Sequence, residues 1–351
     1  MTPLAKEQDI AQGLLKLKAD LKAKAYDRFY VFYGEETFLQ QYYLERLRKA
    51  LVDPLTESFN YHKFTQETFE LREFDDAINN LPMMAEHTFI LVDDIDVFKF
   101  PEDERNWFSE CIRQIPDYCT VVFAYETVDW KPDKRYKTLW EAIENSATIV
   151  QFAKQSERDL VSWIMRHFAA EGKTIQPNLC VYLMELTGGT MTALSGEISK
   201  ICAYSDADEI VKEDIDTVVE PVLDAVVFQM TDLMGQGAFG PALQKLQILF
   251  KMQNEPLAIL GAIGAHYRKI GAARILHNQG MRVGELMSLY GMSDYAAKKL
   301  MNSASRLSDR FCRLANTLVM ETDYQLKSSY GDGERLIEAL VLRLAQEARN
   351  D

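Results

Sequence analysis

Phe29-Tyr30-Val31-Phe32-Tyr33-Gly34-Glu35-Glu36-Thr37-Phe38 sets five consecutive aromatic or β-branched residues before a glycine and the opening of a helical pattern. An apolar run this short, closed by Gly, reads as a strand buried on both faces. The following stretch, 35–51, carries Phe38, Tyr42, Leu44 and Leu47 at helical spacing. A buried strand that feeds directly into a helix is the first half of a βαβ unit, and such units build parallel sheets.

The same alternation extends outward. Upstream, 4–25 reads as an amphipathic helix with Leu14, Leu15, Leu17 and Leu21 among Lys and Asp. Downstream, strand candidates at 59–64, 87–93, 120–124 and 147–152 alternate with helices near 71–80, 102–115 and 134–144. This predicts an α/β domain with a mostly parallel sheet. After Lys154 the strand pattern stops. Ser156 is a good N-cap, with Asp159 three residues on, for a helix reaching Ala170. Helices near 177–186 and 191–204 follow, split by Thr187-Gly188-Gly189-Thr190, and an Asp/Glu-rich passage ends at Glu220-Pro221. From Val222 every segment is helical, near 223–236, 240–252, 256–278, 282–290, 293–303, 307–327 and 333–348. The expected layout is an α/β domain over 1–153, a small helical domain over 154–221 and a helical domain over 222–351.

Composition narrows the function classes. The 351 residues are 47% apolar and 26% charged, as in a globular chain. No apolar run approaches the roughly 18–20 residues of a membrane-spanning helix. Residues 1–20 show no signal-peptide core, so a cytoplasmic protein is expected. The five Cys are dispersed, without a C-x-x-C pair, and none of the five His falls in H-E-x-x-H, so free thiols and no metal site are expected. The net charge of −14 is uneven. Residues 222–351 hold 15 Lys+Arg and 13 Asp+Glu, a net +2, and the rest of the chain is −16. Such a chain does not coat nucleic acid through its overall field.

Four stretches could carry chemistry. Gly34-Glu35-Glu36-Thr37 has the layout of a phosphate loop but lacks G-x-x-x-x-G-K-[ST], a second Gly and a Lys, and its two carboxylates repel phosphate. An ordinary strand-to-helix turn is the simpler reading, and no nucleotide cofactor is expected. Phe89-Ile90-Leu91-Val92-Asp93-Asp94 resembles a Mg²⁺-holding Walker-B strand. An active ATPase is the rival reading there, and a strand-end turn is the plain one. Gly235-Gln236-Gly237-Ala238-Phe239-Gly240 spells G-x-G-x-x-G within helical sequence, with no preceding strand, and reads as a helix–helix connection. Residues 283–301 resemble a DNA-binding helix-turn-helix, with Gly291 ending one helix, Ser293 capping the next, and Lys298 and Lys299 on the second. A DNA-binding regulator is the alternative that this raises, against a short αα unit inside a bundle.

Leu81-Pro82-Met83-Met84-Ala85 lies between a helix and a strand. Pro82 forces an extended or turn-like backbone. Two adjacent Met cannot both enter one core from such a turn, so at least one is expected at the surface, where a flexible thioether suits an adaptable apolar contact.

Order and spacing together resemble the delta subunit family of the bacterial DNA polymerase III clamp loader, from about Phe29 to Leu344. Tyr30–Leu39 is similar to the family's strand–G-[ED]-E-x-[FY]-L opening. Asn80-Leu81-Pro82-Met83-Met84-Ala85 followed by Phe89-Ile90-Leu91-Val92 sits at its clamp-binding turn. Residues 188–200 resemble its small helical domain. Val227-Phe228-Gln229-Met230-Thr231-Asp232 and Leu326-Lys327-Ser328-Ser329-Tyr330-Gly331 resemble its collar.

The resemblance implies an AAA+-like parallel-sheet domain without a P-loop, a helical lid and a helical collar that mediates assembly. It implies a subunit without catalysis of its own, belonging to a DNA-directed DNA polymerase holoenzyme. That subunit binds and opens the sliding clamp (beta) for loading on primed DNA. Gamma or tau ATPase subunits and delta-prime complete a hetero-pentamer. Met83 and Met84 align with the family's clamp-binding pair, often Leu-Phe. Lys327 and Tyr330 align with the collar segment that reaches the primer–template junction. No cofactor, metal or membrane contact is implied.

Overall fold

The computed structural model describes residues 3–236, 238–280, 282–292, 294–328 and 332–351, with backbone alone for 3–11, 235, 294 and 295. The chain divides into two units, one ending at Gln155 and the other spanning Ser156–Asp351.

The first unit runs α1 (Pro3–Ala23), β1 (Phe29–Tyr33), α2 (Thr37–Leu51), α3 (Glu57–Asn60), β2 (Tyr61–Phe64), α4 (Leu71–Asn79), β3 (Thr88–Asp93), α5 (Glu102–Arg113), β4 (Cys119–Tyr125), α6 (Lys137–Ser146) and β5 (Thr148–Gln151). The five strands are all parallel, in the order β2-β3-β4-β1-β5. The central register sets Tyr30 beside Val122 on one side and Thr148 on the other. All seven residues of β4 are buried, because helices cover both faces of a parallel sheet.

Side chains along β1 alternate between two cores. Phe29 and Val31 join Phe74, Ile90, Phe108 and Phe123, whereas Tyr30 and Phe32 join Leu17, Leu47, Leu91 and Phe152. This is the two-residue period of a strand. Full burial of each such side chain contributes roughly 1.5–3 kcal/mol, so the aromatic opening of the sheet anchors both layers. The outer edge of β5 is covered by α1. At Gly13 the helix backbone comes so close that a Cβ would overlap the Ile149 carbonyl oxygen.

The second unit begins with α7 (Glu157–Ala170), β6 (Thr174–Ile175), α8 (Pro177–Thr187), α9 (Met191–Tyr204), β7 (Glu209–Ile210) and α10 (Lys212–Val218). Ser156 accepts the Asp159 N–H at 3.2 Å, as its N-cap spacing predicts. There follow α11 (Leu223–Gly235), α12 (Phe239–Lys251), α13 (Pro256–Asn278), α14 (Val283–Tyr290), α15 (Asp294–Arg306), α16 (Asp309–Ser328) and α17 (Gly333–Arg349), around one apolar core that includes Val226, Leu246, Ile263, Tyr267, Phe311 and Leu340. The Val222 N–H donates to the Leu186 carbonyl at 2.8 Å, so residues 156–221 and 222–351 meet directly.

Three local expectations change. Strands do not stop at Lys154: β6 and β7 pair in parallel, each two residues long and too short to show a period. The candidate strand at 59–64 starts only at Tyr61, because residues 57–60 form the single turn α3. The acidic passage before Pro221 contains α10, where the Asp214 carboxylate accepts the Val211 N–H at 3.1 Å and caps the helix.

The turn after β1 admits only glycine. Gly34 has φ of +132°, and a Cβ there would overlap the Phe152 carbonyl oxygen. Gly34→Ala is therefore expected to destabilise the first unit by at least about 2 kcal/mol. A fall in the thermal midpoint followed by circular dichroism checks this; an unchanged midpoint contradicts it.

Candidate functional site

The turn at Gly34 faces the carboxyl ends of the parallel strands, where open α/β sheets bind their ligands. A phosphate there needs free backbone N–H groups. In this chain the Glu36 N–H donates to the Phe152 carbonyl at 3.0 Å, and the Phe152 N–H donates to the Tyr33 carbonyl at 2.7 Å. The loop is thus bonded to the residue just beyond β5. Burial pushes the Glu36 carboxyl above its ordinary pKa, with the Phe38 N–H and Lys154 opposing. A carboxyl stands where a phosphate cradle presents a cation.

Asp93 and Asp94 are engaged as well. Asp93 pairs with Lys63 at 2.7 Å. Asp94 sits at φ +56°. Its carboxylate accepts the N–H groups of Glu126, Thr127 and Val128 at 2.8, 3.0 and 3.1 Å and the Thr127 hydroxyl at 2.7 Å. Asp94 thereby fastens the end of β3 to the segment leaving β4. A cavity of about 450 Å³ opens beside it, with Leu44, Tyr61, Phe89 and Leu91 as apolar lining and Glu45, Arg48, Lys63, Asp93 and Glu126 as charged lining. Arg48 bonds Glu45 and Glu57, so both cations of this cavity are paired with carboxylates.

Met83 and Met84 stand out from the first unit. The Asn80 N–H closes α4 on the Asp76 carbonyl. Asn80 itself takes extended dihedrals ahead of Leu81-Pro82, and Met84 takes φ +55°. Met83 is 53% exposed, Met84 90% and Leu81 77%. The neighbouring segment adds exposed Leu55 and Phe59. The fully buried Asn60 side chain reaches across to Met83: its Oδ1 accepts the Met83 N–H at 2.7 Å and its Nδ2 donates to the Met83 carbonyl at 2.9 Å. The sequence reading singled out the two Met but missed Asn60, Leu55 and Phe59. An Asn between two aromatic residues has no periodic signature, and the exposure of Phe59 follows from α3 replacing the start of a strand.

The remaining candidate residues fall in the second unit. The G-x-G-x-x-G match spans the connection from α11 to α12, with Gly237 outside the described residues. The helix-turn-helix candidate is α14 and α15, joined through Gly291 at φ +60°, with Ser293 outside the described residues. Ala297, Leu300 and Ala304 bury α15 in the bundle core. Lys299 turns inward, 4.5 Å from the centre of the Phe228 ring and 3.8 Å from Glu185. Lys327 is exposed and bonds Asp323 at 2.8 Å. Tyr330 lies outside the described residues. One and two turns before Lys327, Tyr324 and Met320 are both strongly exposed on α16, a pair the sequence reading missed. Among the described residues the five Cys are free thiols, no cluster of His, Cys, Asp or Glu could hold a metal, and no helix is long and apolar enough to cross a membrane.

Two family models match this chain. The model described as DNA polymerase III, delta subunit, matches residues 30–153. The model described as DNA polymerase III delta subunit, C-terminal domain, matches residues 224–344. Together they take in more than two thirds of the sequence. The DNA polymerase III subunit delta of Bacillus subtilis (strain 168) is 24% identical over 329 residues, covering 92% of this chain and 94% of that protein. The probable DNA polymerase III subunit delta of Aquifex aeolicus (strain VF5) is 21% identical over 286 residues, covering 79% of each. The solved structure of the Bacillus subtilis DNA clamp loader delta protein superposes with a TM-score of 0.65 at 23% identity, over 95% of this chain and 99% of that one. The two share a fold.

Asp94 yields a test of the strand-end reading. Burial opposes its charge, but the Thr127 hydroxyl and the three backbone N–H groups outweigh it and hold the pKa below the ordinary 3.8. A depressed carboxyl pKa contributes stability that is complete above the unfolded value and is lost as pH falls through the folded one. Asp94→Asn is expected to cost about 1 kcal/mol at pH 7, after allowing for screening at a part-exposed site. The difference should shrink below pH 3.8. Thermal melts of both proteins across that range check it.

Proposed function

The chain belongs to the DNA polymerase III delta subunit family, and on that premise we propose that it binds and opens the sliding clamp within a clamp loader without hydrolysing ATP itself. The observation that carries this reading is the Met83-Met84 turn, an apolar tip held in the open on a rigid sheet domain. The partners would be the ring-shaped clamp, the gamma or tau ATPase subunits and delta-prime, and primed DNA met through the assembled complex. Residues 154–221 would act as the lid and 222–351 as the collar, with Lys327 and Tyr330 near the primer–template junction. The chain would work in the cytoplasm as a non-catalytic part of the polymerase holoenzyme.

Two Met side chains fully buried in a clamp pocket contribute about 1.5–3 kcal/mol each. Association itself costs about 4–15 kcal/mol, so the pair cannot supply the whole affinity. Leu81, Leu55 and Phe59, exposed on the same two segments, supply further apolar area. Binding alone does not open a ring: the chain must hold the open form more tightly than the closed one. The engaged Glu36 N–H and the lack of a loop lysine favour a subunit that leaves hydrolysis to its neighbours. Rival readings fare worse. The Asp94 carboxylate already accepts four hydrogen bonds, which argues against a Mg²⁺-holding ATPase centre. Lys299 turns into the bundle, which argues against a recognition helix.

Met83→Ser combined with Met84→Ser is expected to weaken binding to the cognate clamp at least tenfold in surface plasmon resonance, while the thermal midpoint stays within about 2 °C because both side chains are exposed. Unchanged clamp affinity would refute the site. The isolated chain is also expected to show no ATP turnover and no saturable nucleotide binding by calorimetry.

A further inference from the structure

We propose that Asn60 is a positioning residue for the Met83-Met84 tip, a buried amide that holds the docking turn ready-made for its partner. The inference rests on the reading of that tip as the clamp-binding element. Asn60 ends α3, 23 residues upstream of Met83, and its side chain is fully buried. One amide engages both backbone groups of Met83, accepting the N–H at 2.7 Å and donating to the carbonyl at 2.9 Å. Its Nδ2 also donates to the Thr56 carbonyl at 3.2 Å.

Nothing else ties the turn down in this way. Among the described residues, these two bonds are the only hydrogen bonds made by residues 81–87. The turn also holds Met84 at φ +55°, a conformation that a non-glycine residue adopts at a cost and keeps only when its surroundings enforce it. A loop freed from such a restraint must be ordered again on every binding event, which lowers affinity without removing a single contact to the partner. Because an Asn offers one acceptor and two donors in a plane, it matches a peptide group edge-on, and no apolar residue of similar size can replace it.

Asn60→Asp tests the role with a built-in rescue. The charged carboxylate keeps an acceptor but loses the donor, and it repels the Met83 carbonyl. Burial at this site raises the pKa of the introduced carboxyl, so it is protonated at pH 5.5 and regains both partners on Met83. Asp53, Glu57, Tyr61, His62 and Lys63 around Asn60, and Glu86 and His87 beside the turn, are common to variant and wild type and cancel in their ratio. Clamp affinity of the full chain, read by surface plasmon resonance, is expected to fall at least tenfold below wild type at pH 8 and to return within threefold of wild type at pH 5.5. A ratio near one at both pH values, or a loss that does not change with pH, overturns the proposal.

Hydrogen exchange on the wild-type chain gives a measurement that needs no variant. The Met83 amide should exchange at least tenfold more slowly than those of Met84 and Ala85, and equal rates overturn the proposal. The Met83→Ser, Met84→Ser protein separates the two claims. If it still binds the clamp, the tip itself is wrongly assigned. If it fails to bind while Asn60→Asp behaves as wild type at both pH values, the tip stands and the positioning role falls.

Discussion

The hydrogen bond from the Glu36 N–H to the Phe152 carbonyl closes the first βα turn against the residue that follows the edge strand β5. It requires the backbones at Gly34 and Phe152 to approach within a distance that no Cβ tolerates. With the Phe152 N–H returning to Tyr33, it fastens the last strand beside the first and brings Phe152 onto the rings of Phe32 and Tyr43. A fold of parallel strands has no hairpins to set its register, so such closures and the crossover helices must do it. The same bond engages the Glu36 N–H within the fold, so that amide is not free at the first βα turn.

The segment that follows α4 behaves differently from the rest of the first unit. Most of the unit's apolar side chains are buried in the two cores on either side of the sheet. The segment at 81–84 instead sends Leu81, Met83 and Met84 outward. A surface of this kind is a cost to an isolated protein and a gain to a complex, because the water around it is released on docking. Thioethers adapt to a pocket without an exact match of shape. A fixed backbone beneath flexible side chains combines low ordering entropy with tolerance of the partner's contour.

Charge separates the two parts of the chain. The first 221 residues carry −16 and the remainder +2. The acidic part repels a phosphate backbone. The two cations lining its cavity, Arg48 on α2 and Lys63 on β2, are matched by Glu45, Glu57 and Asp93. The helical part is nearly neutral and raises no such barrier.

Much of this protein follows from local sequence. The two-residue period of Phe29–Tyr33, the 3.6-residue stripes from Leu223 onward and the Ser156 cap each report burial or backbone geometry within a few residues, and every long element appears near its expected place. That at least one of Met83 and Met84 is exposed follows from Pro82 and the impossibility of burying two adjacent side chains in one direction, and the structure exposes both. Other features depend on groups far apart in the chain. The Asp94 carboxylate finds its three N–H donors 32 to 34 residues away, Asn60 finds Met83 after 23 residues, and Lys299 finds Glu185 and the Phe228 ring across the second unit. Periodicity records that a side chain is buried or exposed, but not which distant group it meets. For that reason the sequence alone determined the layers and the outward tip, while only the folded chain decided what closes the phosphate turn and what holds the tip in place.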